Sequence, residues 1–124
     1  MGVSGEYLVF VKDQLSYLER ISIWRMFGGA GIYCDGQFFA IVAEDVLYFK
    51  VDDSNRFDYE AEGMKPFTFT VDNKETVMGF YEVPIDILEN KEKVKLWAMK
   101  AVGVAQSVKK VSRRKKGSSR RARR

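Results

Sequence analysis

Residues 25–51 read RMFGGAGIYCDGQFFAIVAEDVLYFKV, and this stretch limits the chain more than any other. Three short runs rich in Phe, Tyr, Ile and Val are joined by polar pairs, which is the pattern of an antiparallel meander. Asp35-Gly36 is a strong two-residue hairpin signal, because such turns need positive φ and glycine takes it without a Cβ clash. Glu44-Asp45 marks a weaker second turn. The two turns set a register: Cys34 opposite Gln37, Tyr33 opposite Phe38, Ile32 opposite Phe39, Val42 opposite Leu47 and Ala40 opposite Phe49. Opposed residues share a face and successive residues alternate. One face therefore carries Tyr33, Phe38, Ala40, Val42, Leu47, Phe49 and Val51, is wholly apolar, and is expected to meet the core. The other carries Ile32, Cys34, Gln37, Phe39, Ile41, Ala43, Val46, Tyr48 and Lys50. It too is largely apolar, which is unusual for an antiparallel sheet open to water. Either a second helix or a partner subunit is expected to cover it.

The flanking sequence supplies packing for this sheet. Ser4 is placed to cap a helix running to about Leu18, whose apolar stripe is Leu8, Val11, Leu15 and Leu18, widened by Tyr7, Phe10 and Tyr17. The first strand is expected to begin at Trp24–Phe27, with Gly28, Gly29 and Gly31 marking a bulge, a bend or a close backbone approach inside it. Asp52, Asp53 and Ser54 can cap a short helix over 55–62, stopped by Gly63; Phe57 and Ala61 share one side of it. Phe67, Phe69 and Val71 alternate with Thr68 and Thr70 in a fourth strand. Asp72 to Glu75 turns into a fifth strand, Thr76–Val83. Asp86-Ile87-Leu88-Glu89 has a capping-box pattern, and Asn90 is a second cap for a helix from Lys91 towards Val108. That helix carries an apolar stripe through Val94, Trp97, Ala98, Ala101, Val102, Ala105 and Val108. The expectation is an α+β fold: a five-stranded antiparallel sheet with packed helices, in the order α-β-β-β-α-β-β-α.

Charge divides the chain. Residues 1–108 hold all 17 acidic residues and 11 of the 21 basic ones, a net of 11 − 17 = −6. Residues 109–124 hold the other 10 basic residues and no acidic one. The reading is a folded, acidic domain over 1–108 and a disordered basic tail over 109–124, since dense like charge with few apolar residues cannot bury enough surface to fold alone. Lys109, Lys110, Arg113, Arg114, Lys115, Lys116, Arg120, Arg121, Arg123 and Arg124 could each neutralise a phosphate and release counterions. This predicts nonspecific, salt-dependent contact with DNA or RNA. No apolar run approaches the roughly 20 residues needed to span a bilayer, so no membrane contact is expected. One cysteine and no secretion signal point to a reducing cytoplasm.

Catalysis finds little support. There is no histidine, so the commonest general base and metal ligand is missing. Cys34 reads as a small strand residue, because the sequence shows no partner group for a reactive thiol. The glycine pair does not fit a phosphate loop: no Gly-Lys-Ser/Thr follows it, and it leads into a strand. Arg25, beside Trp24, reads as an ion-pairing or stacking surface residue. The carboxylate pairs Glu44/Asp45 and Asp52/Asp53 fit local turn chemistry. No catalytic residue, cofactor or metal is expected, and the chain reads as a non-enzyme.

The ordered set Arg25-Met26-Phe27-Gly28-Gly29, Gly31-Ile32-Tyr33, Asp35-Gly36, Phe39-Ala40 and Leu47-Tyr48-Phe49-Lys50 resembles the TfoX/Sxy N-terminal domain. Phe80-Tyr81-Glu82-Val83-Pro84 and Trp97 with Ala101 fit as well, so the resemblance covers about residues 5–106. It implies an α+β domain with helices on an antiparallel sheet, and no catalytic residues or cofactor. The family's named members are bacterial regulators of natural competence, thought to assist transcription together with a cyclic-AMP receptor protein. Set against those longer regulators, the basic tail stands where their second domain would be expected to follow. The functional expectation is a non-enzymatic regulator or adaptor in transcription, with a transcription factor or other protein as partner of the domain and nucleic acid as partner of the tail. The alternative is a small structural or chaperone-like homodimer in which the tail is incidental.

Overall fold

The computed structural model describes residues 3–26 and 28–122, with side chains left undescribed at 69–71, 75–78 and 108–122. Helix α1 (Gly5–Gln14) is followed by strands β1 (Ile21–Met26), β2 (Gly29–Cys34), β3 (Gln37–Ala43) and β4 (Val46–Lys50). Helix α2 (Arg56–Ala61), strands β5 (Pro66–Val71) and β6 (Lys74–Glu82), a single turn α3 (Ile85–Leu88) and helix α4 (Lys91–Ala122) complete the order. The strands form one antiparallel sheet in the order β1-β2-β3-β4-β6-β5. The α+β class is therefore as expected, but the sheet has six strands and the order is α-β-β-β-β-α-β-β-α-α.

The extra strand comes from the glycine cluster. Met26 pairs with Gly29, and Gly28 turns the chain at a φ of +78°. What the sequence suggested as a bulge within one strand is a hairpin between two. Gly29 and Gly31 serve close approach, as described below. The other hairpins use two-residue turns in which both residues have positive φ: Asp35-Gly36 at 50° and 81°, Glu44-Asp45 at 51° and 57°, and Asp72-Asn73 at 52° and 65°. This conformation matches the natural twist of the flanking strands, which is why it is favoured even without glycine at every site.

A bulge does occur, further along the sheet. Cys34 opposes Gln37 and Tyr33 opposes Phe38, as the turn requires, but Ile32 opposes Ala40. Phe39 is the additional residue. Because strand faces alternate with a period of two, one inserted residue exchanges the faces beyond it. Ile32 and Phe39, expected on the second face, are fully buried in the core, where the Phe39 and Phe49 rings lie 5.6 Å apart. Cys34 packs on the same side. Tyr33 and Phe38, expected in the core, are half-buried on the opposite face with their rings 5.1 Å apart. Ala40, Val42, Leu47, Phe49 and Val51 lie in the core as anticipated.

All the helices contribute to that one core. Val11 and Leu15 of the α1 region, Tyr59 of α2, Leu88 of α3, and Val94, Ala98 and Ala101 of α4 join the buried cluster with the β2–β4 side chains. The small residues of α4 let it come close to the sheet. Ser4 caps α1, accepting a hydrogen bond from the Tyr7 amide at 3.1 Å. Asn90 does the same for α4 through the Lys93 amide at 3.0 Å. Asn55 is buried and satisfied on both ends: its Oδ1 accepts from the Asp52 amide and its Nδ2 donates to the Lys50 carbonyl. It thereby fixes the exit from β4 into α2. Within α2 the inward residue is Tyr59, while Phe57 and Ala61, which share one side of the helix, are exposed. The backbone of α4 continues past Val108, where the sequence ended it. Lys, Arg and Ala propagate a helix well and no proline interrupts. No described helix is long and apolar enough to cross a membrane.

Candidate interaction surfaces

The residues expected to carry a signature in 25–36 serve the fold of the first two hairpins. Arg25 donates from Nη1 to the Val3 carbonyl at 3.0 Å and so ties the N-terminal segment to β1. A Cβ on Gly29 would stand 2.6 Å from the Val42 carbonyl oxygen, so only glycine lets β2 lie this close to β3. A Cβ on Gly31 would meet Met26 Cε at 2.6 Å, Phe38 Cε1 at 3.0 Å and Tyr33 Cε1 at 3.4 Å. The side chains of Met26, Phe38 and Tyr33 thus close over bare backbone. Gly28, Asp35 and Gly36 hold the turns. Phe27 lies outside the described residues.

Cys34 sits in a cleft of about 520 Å³ bordered by Tyr17, Arg20, Asp35, Met99 and Gly103. Its Sγ donates to the Glu19 carbonyl at 3.4 Å. Burial, reinforced by the Asp35 carboxylate, pushes its thiol pKa up, although Arg20 opposes the shift. The thiol is therefore the stable form at neutral pH, which is the wrong state for a nucleophile. Arg20 and Asp35 pair with each other at 3.4 Å, and Glu19 and Lys95 also border the cleft. Among the described residues, no group of three or more His, Cys, Asp or Glu could hold a metal ion.

The larger feature is the sheet face turned away from the helices. Trp24, Gly31, Ile41, Tyr48 and Glu82 are successive register partners across β1, β2, β3, β4 and β6, so they form one row on one face. Phe67 of β5 extends it, its ring 4.8 Å from that of Tyr48. A second row holds Tyr33, Phe38 and Phe80, with Phe38 and Phe80 centroids 5.6 Å apart. Lys50 lies over Phe80, its amine 4.9 Å from the ring centroid, and burial lowers its pKa. Ile41 and Tyr48 are half-buried, and Trp24 at the edge is 65% exposed. The expectation of a second apolar face thus holds for Ile41, Val46, Tyr48 and Lys50. The sequence missed Trp24 and Phe80 on it, although the Phe67 alternation in β5 pointed the same way.

Eight of the ten basic residues of the tail, Lys109 to Arg121, fall on the backbone of α4, and Arg123 and Arg124 follow it in sequence. Their side chains, and all of Arg123 and Arg124, lie outside the described residues.

A helix layer on one side of an antiparallel sheet and hairpin-building glycines define an α+β domain. Residues 13–105 match the TfoX N-terminal domain family, three-quarters of the chain, and the protein belongs to that family. No curated protein matches the chain closely enough to add a named relative.

Proposed function

We propose that the chain is a non-enzymatic regulatory adaptor of the competence-related type, acting in transcription regulation. The domain docks a protein partner, and the tail 109–124 holds nucleic acid without sequence preference. Family membership over 13–105 supports the regulatory role. The charge division carries the nucleic-acid half of the reading: −6 over 1–108 against ten basic residues and no acid over 109–124. An acidic domain repels a phosphate backbone, so attraction has to come from the tail.

The test is binding of a labelled duplex and a structured RNA by the full chain and by residues 1–108, across a salt series. Truncation is a fair comparison because the buried hydrophobic side chains described lie between Val3 and Ala105. Six to ten phosphate contacts would lower affinity by about 10³- to 10⁵-fold between 50 and 200 mM salt. The full chain should show that steep dependence, and the truncated chain should bind negligibly. Equal, weak binding by both would remove the tail from the function.

A further inference from the structure

We infer that the helix-free face of the sheet is where a second copy of this chain docks, forming a two-fold symmetric dimer with the two sheets face to face. The inference concerns the domain alone and does not depend on the tail's role.

Size supports it. Strands about 4.8 Å apart and about 3.3 Å per residue give six strands of five or six residues a footprint of roughly 25 by 18 Å. With the relief of its side chains, such a face approaches the ~800 Å² per partner of a standard interface. Its composition is that of an interface centre: Trp24, Tyr33, Phe38, Tyr48 and Phe67 are aromatic, and Ile41 is aliphatic.

Charge selects the occupant. Two copies of a domain with a net charge of −6 repel at most orientations. On this face the described charges are Lys50 on β4 and Lys74 and Glu82 on β6, with Lys74 at the far end of the β5–β6 hairpin opposite Val71. A nucleic acid would require a dense basic surface, and the two described lysines, set among aromatic rings and accompanied by Glu82, do not make one. A second copy needs only a largely apolar one, and under two-fold symmetry Lys50 of one copy can answer Glu82 of the other. Aligned sheets pack about 10 Å apart, a spacing that interleaved side chains of this size fill. The packed part of α4 lies on the other side of each sheet, so the two tails would leave from the outside of the sandwich and not compete for the interface.

The test is the solution mass of the full chain by light scattering and sedimentation, from about 1 to 100 μM, the range in which an interface of this size associates. The protein should be freed of nucleic acid first. The expected mass is twice 14.3 kDa, unchanged or favoured at high salt because the contact is apolar. Ile41→Glu should raise the dimer Kd at least 100-fold. Trp24→Glu, at a largely exposed position where folding is safe, should raise it at least 10-fold, with circular dichroism confirming the fold. Phe57→Glu, 76% exposed on α2, should leave the mass unchanged. A monomer throughout the range would overturn the inference and leave the face to a different protein. A dimer indifferent to both face substitutions would overturn it too, by placing the contact elsewhere.

Discussion

Alanine at Gly29 and at Gly31 should have unequal costs, and the difference follows from what each new methyl group would strike. At Gly29 the obstacle is the Val42 carbonyl oxygen, 2.6 Å away. It belongs to the β3 backbone, so relief means parting two paired strands. At Gly31 the nearest atom, also at 2.6 Å, is Met26 Cε. That atom is the free end of a flexible side chain on the helix-free face, and it can swing aside. Overpacking costs about 1–3 kcal/mol, and the upper end applies where nothing can yield. Against it, replacing glycine stiffens the unfolded chain and returns about 0.4–1 kcal/mol. The balance is a loss of about 2 kcal/mol for Gly29→Ala and a change within about 1 kcal/mol for Gly31→Ala. At about 4 °C per kcal/mol for a domain of this length, Tm should fall by about 8 °C in the first case and move by less than about 4 °C in the second. Thermal and urea unfolding by circular dichroism should be read in a Trp24→Glu background, so that association does not enter. Equal losses, or a larger loss at Gly31, would refute the account of these glycines as a tight approach to backbone and a yielding approach to a side chain.

Three further outcomes follow from single groups. Ser4→Ala removes the α1 cap and should cost about 1 kcal/mol, whereas Ser4→Asp should restore most of it; identical stability of both variants would show that the Tyr7 amide does not depend on this side chain. Labelling of Cys34 by iodoacetamide should be slower at pH 7 than that of a free cysteine. Its raised pKa keeps the proton on, so the rate should climb only above the ordinary thiol range, and a profile inflecting below pH 8 would contradict the assigned environment. The Tyr59 hydroxyl is buried without a hydrogen-bond partner among the described residues, and burial holds its pKa far above the usual range. Tyr59→Phe should therefore leave stability unchanged or raise it by about 1 kcal/mol in urea unfolding; a clear loss would reveal a partner for that oxygen.

Much of the fold could be read from local chemistry. The Asp35-Gly36 and Glu44-Asp45 turns, the Ser4 and Asn90 caps and the inward stripe of α4 each depend on residues within a turn or two of one another. The first hairpin was harder to recognise. A glycine cluster fits a bulge as well as a turn, and only the pairing of Met26 with Gly29 decides between them. The exchange of Tyr33 and Phe38 for Ile32 and Phe39 could not be read at all. A single added residue at Phe39 swaps faces, and all four side chains are apolar enough for either side. The inward turn of Tyr59 was not legible for a related reason: in a helix as short as α2, tertiary contacts with Trp97 and Tyr81 decide which ring turns inward. The candidate surfaces were only half visible. The tail's charge is explicit in the sequence, whereas the helix-free face is assembled from single residues on separate strands.

The most direct test of the whole account is a residue-resolved titration of the full chain, labelled with ¹⁵N, with a short DNA duplex at low salt. Amide signals of residues 109–124 should move, while those of Arg25 to Gly36 stay in place, because the signature residues build hairpins and the tail meets the phosphates. Shifts spread through Arg25–Gly36 with the tail signals unmoved would contradict both assignments and place the nucleic-acid contact on the domain.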